Sequence, residues 1–167
     1  MGDVFIERMV KKKFDTKDIL IIVGIVLAVM VLMPILLLLS MQYGLFMIGL
    51  LAAAGLVFGG YKLLTMRMLE YEYSLTNGYI SIDKIMNRSS RKRMTAFECS
   101  SAEDIGVYTQ AEARLKNRSF DSRIFAVRTA ACEGSWYMIV QSSKTGKTLV
   151  VFDPDEDLQE AIKKFIP

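Results

Sequence analysis

The chain has 167 residues, with 21 Lys or Arg against 18 Asp or Glu, a net charge of +3, and no histidine. So small a net charge gives no reason to expect a polyanionic partner. The missing imidazole removes His-based acid–base chemistry, Ser-His and Cys-His dyads and nearly all common zinc and iron sites.

Residues 1–18 read as an N-terminal tail carrying Arg8, Lys11, Lys12, Lys13 and Lys17. Two apolar runs follow, 19–39 and 45–61, neither containing a charged residue. At ~1.5 Å per helical residue they span ~31 Å and ~26 Å, close to the thickness of a hydrocarbon core. The linker Ser40-Met41-Gln42-Tyr43-Gly44 permits only a tight reversal, so residues 19–64 are expected to form a two-helix transmembrane hairpin. Lys62 and Arg67 lie at its exit and the turn carries no Lys or Arg. Positive residues collect on cytoplasmic flanks, which predicts a multi-pass cell-membrane protein with two spans and both termini in the cytoplasm. The first run exceeds the apolar core of a secretory signal, and no small-x-small cleavage site follows it.

Pro34 is expected to kink the first helix. Gly49-x-x-x-Ala53 and Gly55-x-x-x-Gly59 give the second helix small positions where another backbone can approach closely. Two readings are open for them: packing within the hairpin, or a grip on a second membrane protein or a second copy of the chain. Neither span holds an ionisable residue at membrane depth, which argues against a self-sufficient transporter or channel.

From Leu69 the pattern becomes strict alternation. Leu69, Tyr71, Tyr73 and Leu75 take one face and Glu70, Glu72, Ser74 and Thr76 the other, as in a strand with one buried side. The paired carboxylates Glu70 and Glu72 are therefore expected on a solvated face. Asn77-Gly78 predicts a type I′ hairpin turn, and a register break near Asp83-Lys84 predicts a bulge. Further strands are expected at 93–99, 105–108, 123–130, 136–141 and 148–152, with 109–122 a loop holding one helical turn near 111–115. The adjacent Trp136 and Tyr137 should face opposite ways, one core and one surface. Gly146-Lys147-Thr148 lacks the upstream glycine of a phosphate-binding loop and reads as a turn.

The chain ends in an amphipathic helix predicted over 154–166. Asp153 is the expected N-cap, Pro154 the first helical residue and Glu156 the capping-box partner. Leu158, Ala161, Ile162 and Phe165 form its apolar face. Residues 65–167 thus make one small domain of six or seven antiparallel strands closed by a helix.

This order resembles the pleckstrin-homology-like (PH-like) superfold. The whole chain resembles small bacterial membrane proteins with two N-terminal helices and a cytoplasmic bacterial PH-like domain. The residues that carry the likeness are the hairpin exit, the run Leu69-Glu-Tyr-Glu-Tyr-Ser-Leu-Thr-Asn-Gly-Tyr-Ile-Ser-Ile-Asp, and Phe152-Asp-Pro-Asp-Glu-Asp-Leu-Gln-Glu-Ala-Ile. The resemblance implies an α+β membrane protein: a transmembrane α-hairpin, then an antiparallel β sandwich or barrel with a C-terminal helix. Phosphoinositide-binding PH domains carry basic residues around the first hairpin turn, and Asn77-Gly78 has none. The basic run lies in the next connection, where Arg88, Arg91, Lys92 and Arg93 are the candidate contacts for anionic headgroups. No aromatic residue interleaves them for base stacking, which argues against nucleic acid.

The expectation is a non-enzymatic scaffold or interaction module at the inner leaflet, without metal or cofactor, that binds membrane lipid or a protein partner. The alternative is an accessory subunit that contacts a larger membrane complex through the Gly-rich second helix.

Overall fold

The computed structural model describes residues 4–87, 90–142 and 145–166. The chain divides into two units: Phe14–Met68, and Met1–Lys13 together with Leu69–Pro167.

The first unit is the helical hairpin, α1 (Thr16–Gln42) and α2 (Phe46–Thr65). Mean hydropathy reaches 3.2 and 1.7 in their most apolar stretches, and both helices are long and apolar enough to cross a membrane. Asp15 caps α1: its carboxylate accepts from Thr16 N at 2.8 Å, and Asp18 completes a capping box. Asp18 is buried and pairs with Arg67 at 3.6 Å, joining the first turn of α1 to the residues that follow α2. The α1 helix runs through Pro34 without interruption. Leu, Ile, Val and Met side chains stand exposed around α1, as on a helix whose solvent is lipid.

The second unit is a β domain. Sheet A has the order β1-β2-β3-β4, all antiparallel: β1 (Phe5–Lys11), β2 (Leu69–Thr76), β3 (Tyr79–Met86) and β4 (Ser90–Glu98). Sheet B has the order β5-β7-β8-β6: β5 (Ala102–Val107), β6 (Ser122–Ala126), β7 (Trp136–Ser142) and β8 (Gly146–Phe152). A short 3-10 turn, Cys99–Ser101, links the sheets. Helix α3 (Tyr108–Lys116) follows β5, and α4 (Glu156–Lys163) closes the chain.

The predicted alternation in β2 buries Tyr71, Tyr73 and Leu75. Asn77 and Gly78 have φ of 48° and 86°, the two positive values that a type I′ turn requires. Gly78 is needed for space as well, because a Cβ there would meet the Phe165 ring at 2.9 Å. The register shifts between Ile82 and Asp83, beside the expected break, but the extra residue is Met94 on the partner strand β4.

Five expectations are corrected. The segment read as an N-terminal tail contains β1, which pairs with β2 from Phe5↔Thr76 to Lys11↔Glu70 and buries Val10. The sheets are not wholly antiparallel, since β6 runs parallel to β8. The loop at 109–122 holds a nine-residue helix, α3. Trp136 and Tyr137 do face opposite ways, but neither is a surface residue: Tyr137 is buried and Trp136 packs against the inner core. The last helix begins two residues later than predicted, with Asp155 as its N-cap, accepting from Leu158 N at 3.0 Å.

Two cores explain the layers. Between the sheets, Tyr73, Leu75, Ile80, Ile82 and Phe97 meet Met138, Val140, Val150 and Phe152, with Leu158, Ala161 and Ile162 of α4 packed in. On the far side of sheet B, Tyr137, Ile139, Leu149 and Val151 are covered by Tyr108 and Leu115 of α3. Burial on both faces gives β7 and β8 their unbroken apolar sequences. The Tyr73 hydroxyl spans the inner core, donating to Ala126 O and accepting from Asp153 N at 3.4 Å.

Substituting Ile162→Asp places an unpaired charge in this core and is expected to cost at least about 3 kcal/mol. Circular dichroism should show the cooperative β-domain transition lost. An unchanged midpoint would mean that α4 is not packed as described.

Candidate functional site

The outer face of sheet A carries a block of acidic and basic side chains, and cross-strand register sets their order. One row reads Met9, Glu72, Asp83, Arg93; the next reads Lys11, Glu70, Ile85, Arg91. Glu72 and Asp83 sit directly opposite on the two central strands and are each only 4% exposed. Two buried carboxylates side by side need compensation. It comes from β4: Arg91 pairs diagonally with Glu72, and Arg93 Nε reaches Asp83 at 3.0 Å.

This alters the reading of the basic run. Arg91 and Arg93 lie along the outer face with their guanidinium groups on protein carboxylates. Lys92, between them, points to the opposite face, where its cross-strand neighbour is Lys84. Arg88 lies outside the described residues. The expected cluster is therefore divided: two of its members hold sheet A together and one stands exposed.

Glu72 is also corrected, because it is buried rather than solvated. Burial pushes its carboxyl above the ordinary glutamate range, and Glu7 and Asp83 push it the same way against the pull of Arg91. Ionised Glu72 therefore costs stability at neutral pH, and the cost vanishes as pH falls through its raised pKa towards the unfolded value of about 4.3. Glu72→Gln is expected to raise the thermal midpoint at pH 7 relative to the parent, with the gain disappearing near pH 4. A gain independent of pH would exclude this ionisation as its source.

The first hairpin turn is lined by Asn77, Gly78, Tyr79, Glu98, Ser100 and Phe165, none of them basic. Cys99 is buried and its thiol pushed up to about 11, which keeps it protonated and unreactive. Around α3, Arg123 donates to the carbonyls of Leu115, Lys116 and Arg118, satisfying the helix C-terminus, and Arg114 pairs with Asp104 at 2.7 Å.

In the helical unit the small residues separate into two sets. Gly49 and Ala53 are buried, and a Cβ on Gly49 would collide with the Ser40 side chain. Gly60 meets Val29 in the same way, at 2.9 Å. These positions let α1 and α2 pack closely. Gly55 and Gly59 have open space where a Cβ would stand.

Residues 2–167 match the family described as "Bacterial PH-like domain (DUF6106)". The chain belongs to that family. No curated protein and no solved structure matches it. The two packed sheets and the C-terminal helix of the β unit are the PH-like fold, and the two apolar helices lie inside the matched region. The family covers β1 as well as β2, consistent with the two strands being neighbours in one sheet.

Proposed function

We propose that the chain is a non-enzymatic, membrane-anchored interaction module. Its helical hairpin holds the PH-like domain at the inner leaflet, where the domain binds a protein partner or anionic lipid. The observation that carries this reading is topological. The hairpin is inserted between two strands paired along their whole length, and Lys12 N donates to Leu69 O at 2.9 Å where the chain leaves and re-enters the domain. A domain tied to two spans by residues 12–15 and 66–68 has little freedom to leave the membrane surface: the shorter connector reaches at most about 14 Å. Basic residues at both ends of the hairpin and none in its turn favour the cytoplasmic side.

Orientation is tested with single cysteines at Thr16, Tyr43 and Met66 in a Cys99→Ser, Cys132→Ser background, labelled by a membrane-impermeant maleimide. Tyr43→Cys is expected to react in intact cells, and Thr16→Cys and Met66→Cys only after lysis. The reverse pattern would overturn the reading. Purification from native membranes with partner identification then tests the binding role.

A second reading, an accessory subunit of a larger membrane complex, is favoured by one observation: Gly55 and Gly59 lie on the side of α2 left open by α1. It predicts a membrane protein that co-purifies in detergent and is lost on Gly55→Leu or Gly59→Leu. Undiminished co-purification would remove that reading.

A further inference from the structure

We propose that Lys84 and Lys92 form a contact for anionic lipid headgroups at one end of sheet A; this rests on the membrane-anchored reading above. Four observations converge on it.

The first is a like-charge pair. Lys84 on β3 and Lys92 on β4 are directly opposite in the register. Side chains so placed have Cβ atoms about 5 Å apart, and two cations there repel. Four other cations of the domain have carboxylates: Arg91 with Glu72, Arg93 with Asp83, Arg114 with Asp104 and Lys147 with Glu103. Among the described residues neither Lys84 nor Lys92 has a carboxylate partner. The pair is arranged for an anion that the described chain does not supply.

The second is position. Lys84 and Lys92 share the row Val10, Tyr71, Lys84, Lys92, and the next row on that face is Lys12, Leu69, Met86, Ser90. One such step is two residues, about 6.6 Å along the strands. The lysine pair therefore lies one row from the end at which the chain departs for the hairpin and returns, Lys84 on the strand beside Leu69 and Lys92 on the far edge strand, about 14 Å across the sheet from β1.

The third is the charge of that end: Lys13, just past β1 at the other edge of sheet A, is exposed there, and Lys11 is exposed on the outer face opposite Glu70. The fourth is exclusion: Arg91 and Arg93, the stronger phosphate-binding side chains, are occupied by Glu72 and Asp83 on the opposite face. The headgroup contact thus falls to lysines acting as point charges, which attract an anionic surface without selecting one headgroup.

The test uses the full chain in nanodiscs of phosphatidylcholine alone or with phosphatidylglycerol, reading the acylation rate of each lysine by mass spectrometry. Lys84 and Lys92 are expected to react roughly fivefold more slowly over the anionic lipid, in keeping with the strength of one surface lysine. High salt should restore the rate, and Lys116 on α3 should not change. Equal rates at Lys84 and Lys92 in the two lipids overturn the proposal. Equal protection by inorganic phosphate over phosphatidylcholine alone would overturn the headgroup assignment in favour of a soluble anion.

A second measurement is thermal stability. The anionic lipid should raise the midpoint of the parent and of Arg91→Gln/Arg93→Gln, but not of Lys84→Gln/Lys92→Gln. A rise in the lysine variant equal to the parent's would overturn the proposal. Nanodiscs expose both leaflets, so these outcomes are independent of the maleimide orientation result.

Discussion

A chain in which Lys12 is joined to Leu69 through Asn-Gly, replacing residues 13–68, is expected to fold as a soluble, cooperative domain, whereas residues 66–167 alone are not. The reason is the place of β1. It is the neighbour of β2 on that side, with hydrogen-bonded register from Phe5↔Thr76 to Lys11↔Glu70. It buries Val10, half-buries Val4 and Ile6 against the inner core, and places Arg8 on Asp155 and Asp157 at the start of α4. Burying one Val side chain is worth about 1.5–3 kcal/mol, and each ladder hydrogen bond adds about 0.5–1.5 kcal/mol. Their sum is comparable to the whole stability of a small domain, about 5–15 kcal/mol. Without β1, β2 becomes a long edge rich in tyrosine and leucine, a template for aggregation. In the joined chain, Lys12 and Leu69 already face each other at hydrogen-bond distance, so a two-residue type I′ turn fits between them. Thermal denaturation followed by circular dichroism separates the two chains. Matching midpoints with and without β1 would show that the strand is dispensable.

Asp153→Ala is expected to cost about 3–5 kcal/mol, and Asp155→Ala only about 1 kcal/mol beyond its exposed pair with Arg8. The two aspartates flank Pro154 and do different work. The Asp153 carboxylate accepts from Arg128 N at 2.6 Å and from Ser135 Oγ, tying the β6–β7 connection to the end of β8. Removing it strands a backbone donor and a hydroxyl, and Ser135 is buried. Asp155 caps α4 and pairs with Arg8 at the surface. Chemical denaturation of both variants measures the order, and the opposite order would restore Asp153 as the helix cap.

That reversal shows where sequence patterns carry and where they fail. Asp153-Pro154 satisfies every local rule for a helix start. The helix begins later because Asp153 is engaged by Arg128 and Ser135, partners that no local window contains. The Asn77-Gly78 turn and the apolar face of α4 were legible because each depends on residues within a few positions. The β1 strand was not: its partner lies beyond the hairpin in sequence, and of its seven residues only Val10 is fully buried, so alternation is faint. Helix α3 starts without a side-chain cap and buries only Tyr108 and Leu115. At the charged site, the basic run was visible as composition. Its division between two faces, and the opposition of Lys92 to Lys84, follow from strand register. The alternation of odd and even positions in β4 was the available clue.

The insertion of the hairpin between β1 and β2 also orders events during synthesis. The ribosome makes β1 first, yet β1 has no partner until both spans and the start of β2 have emerged. Closing so long a loop in a free chain carries an entropic cost that grows with its length. On the membrane-anchored reading proposed above, helices that cross and re-cross the bilayer return the chain to the side it left, bringing Leu69 back towards Lys12. Insertion is then a folding step for the PH-like domain, and a nascent chain whose helices fail to insert leaves sheet A one strand short.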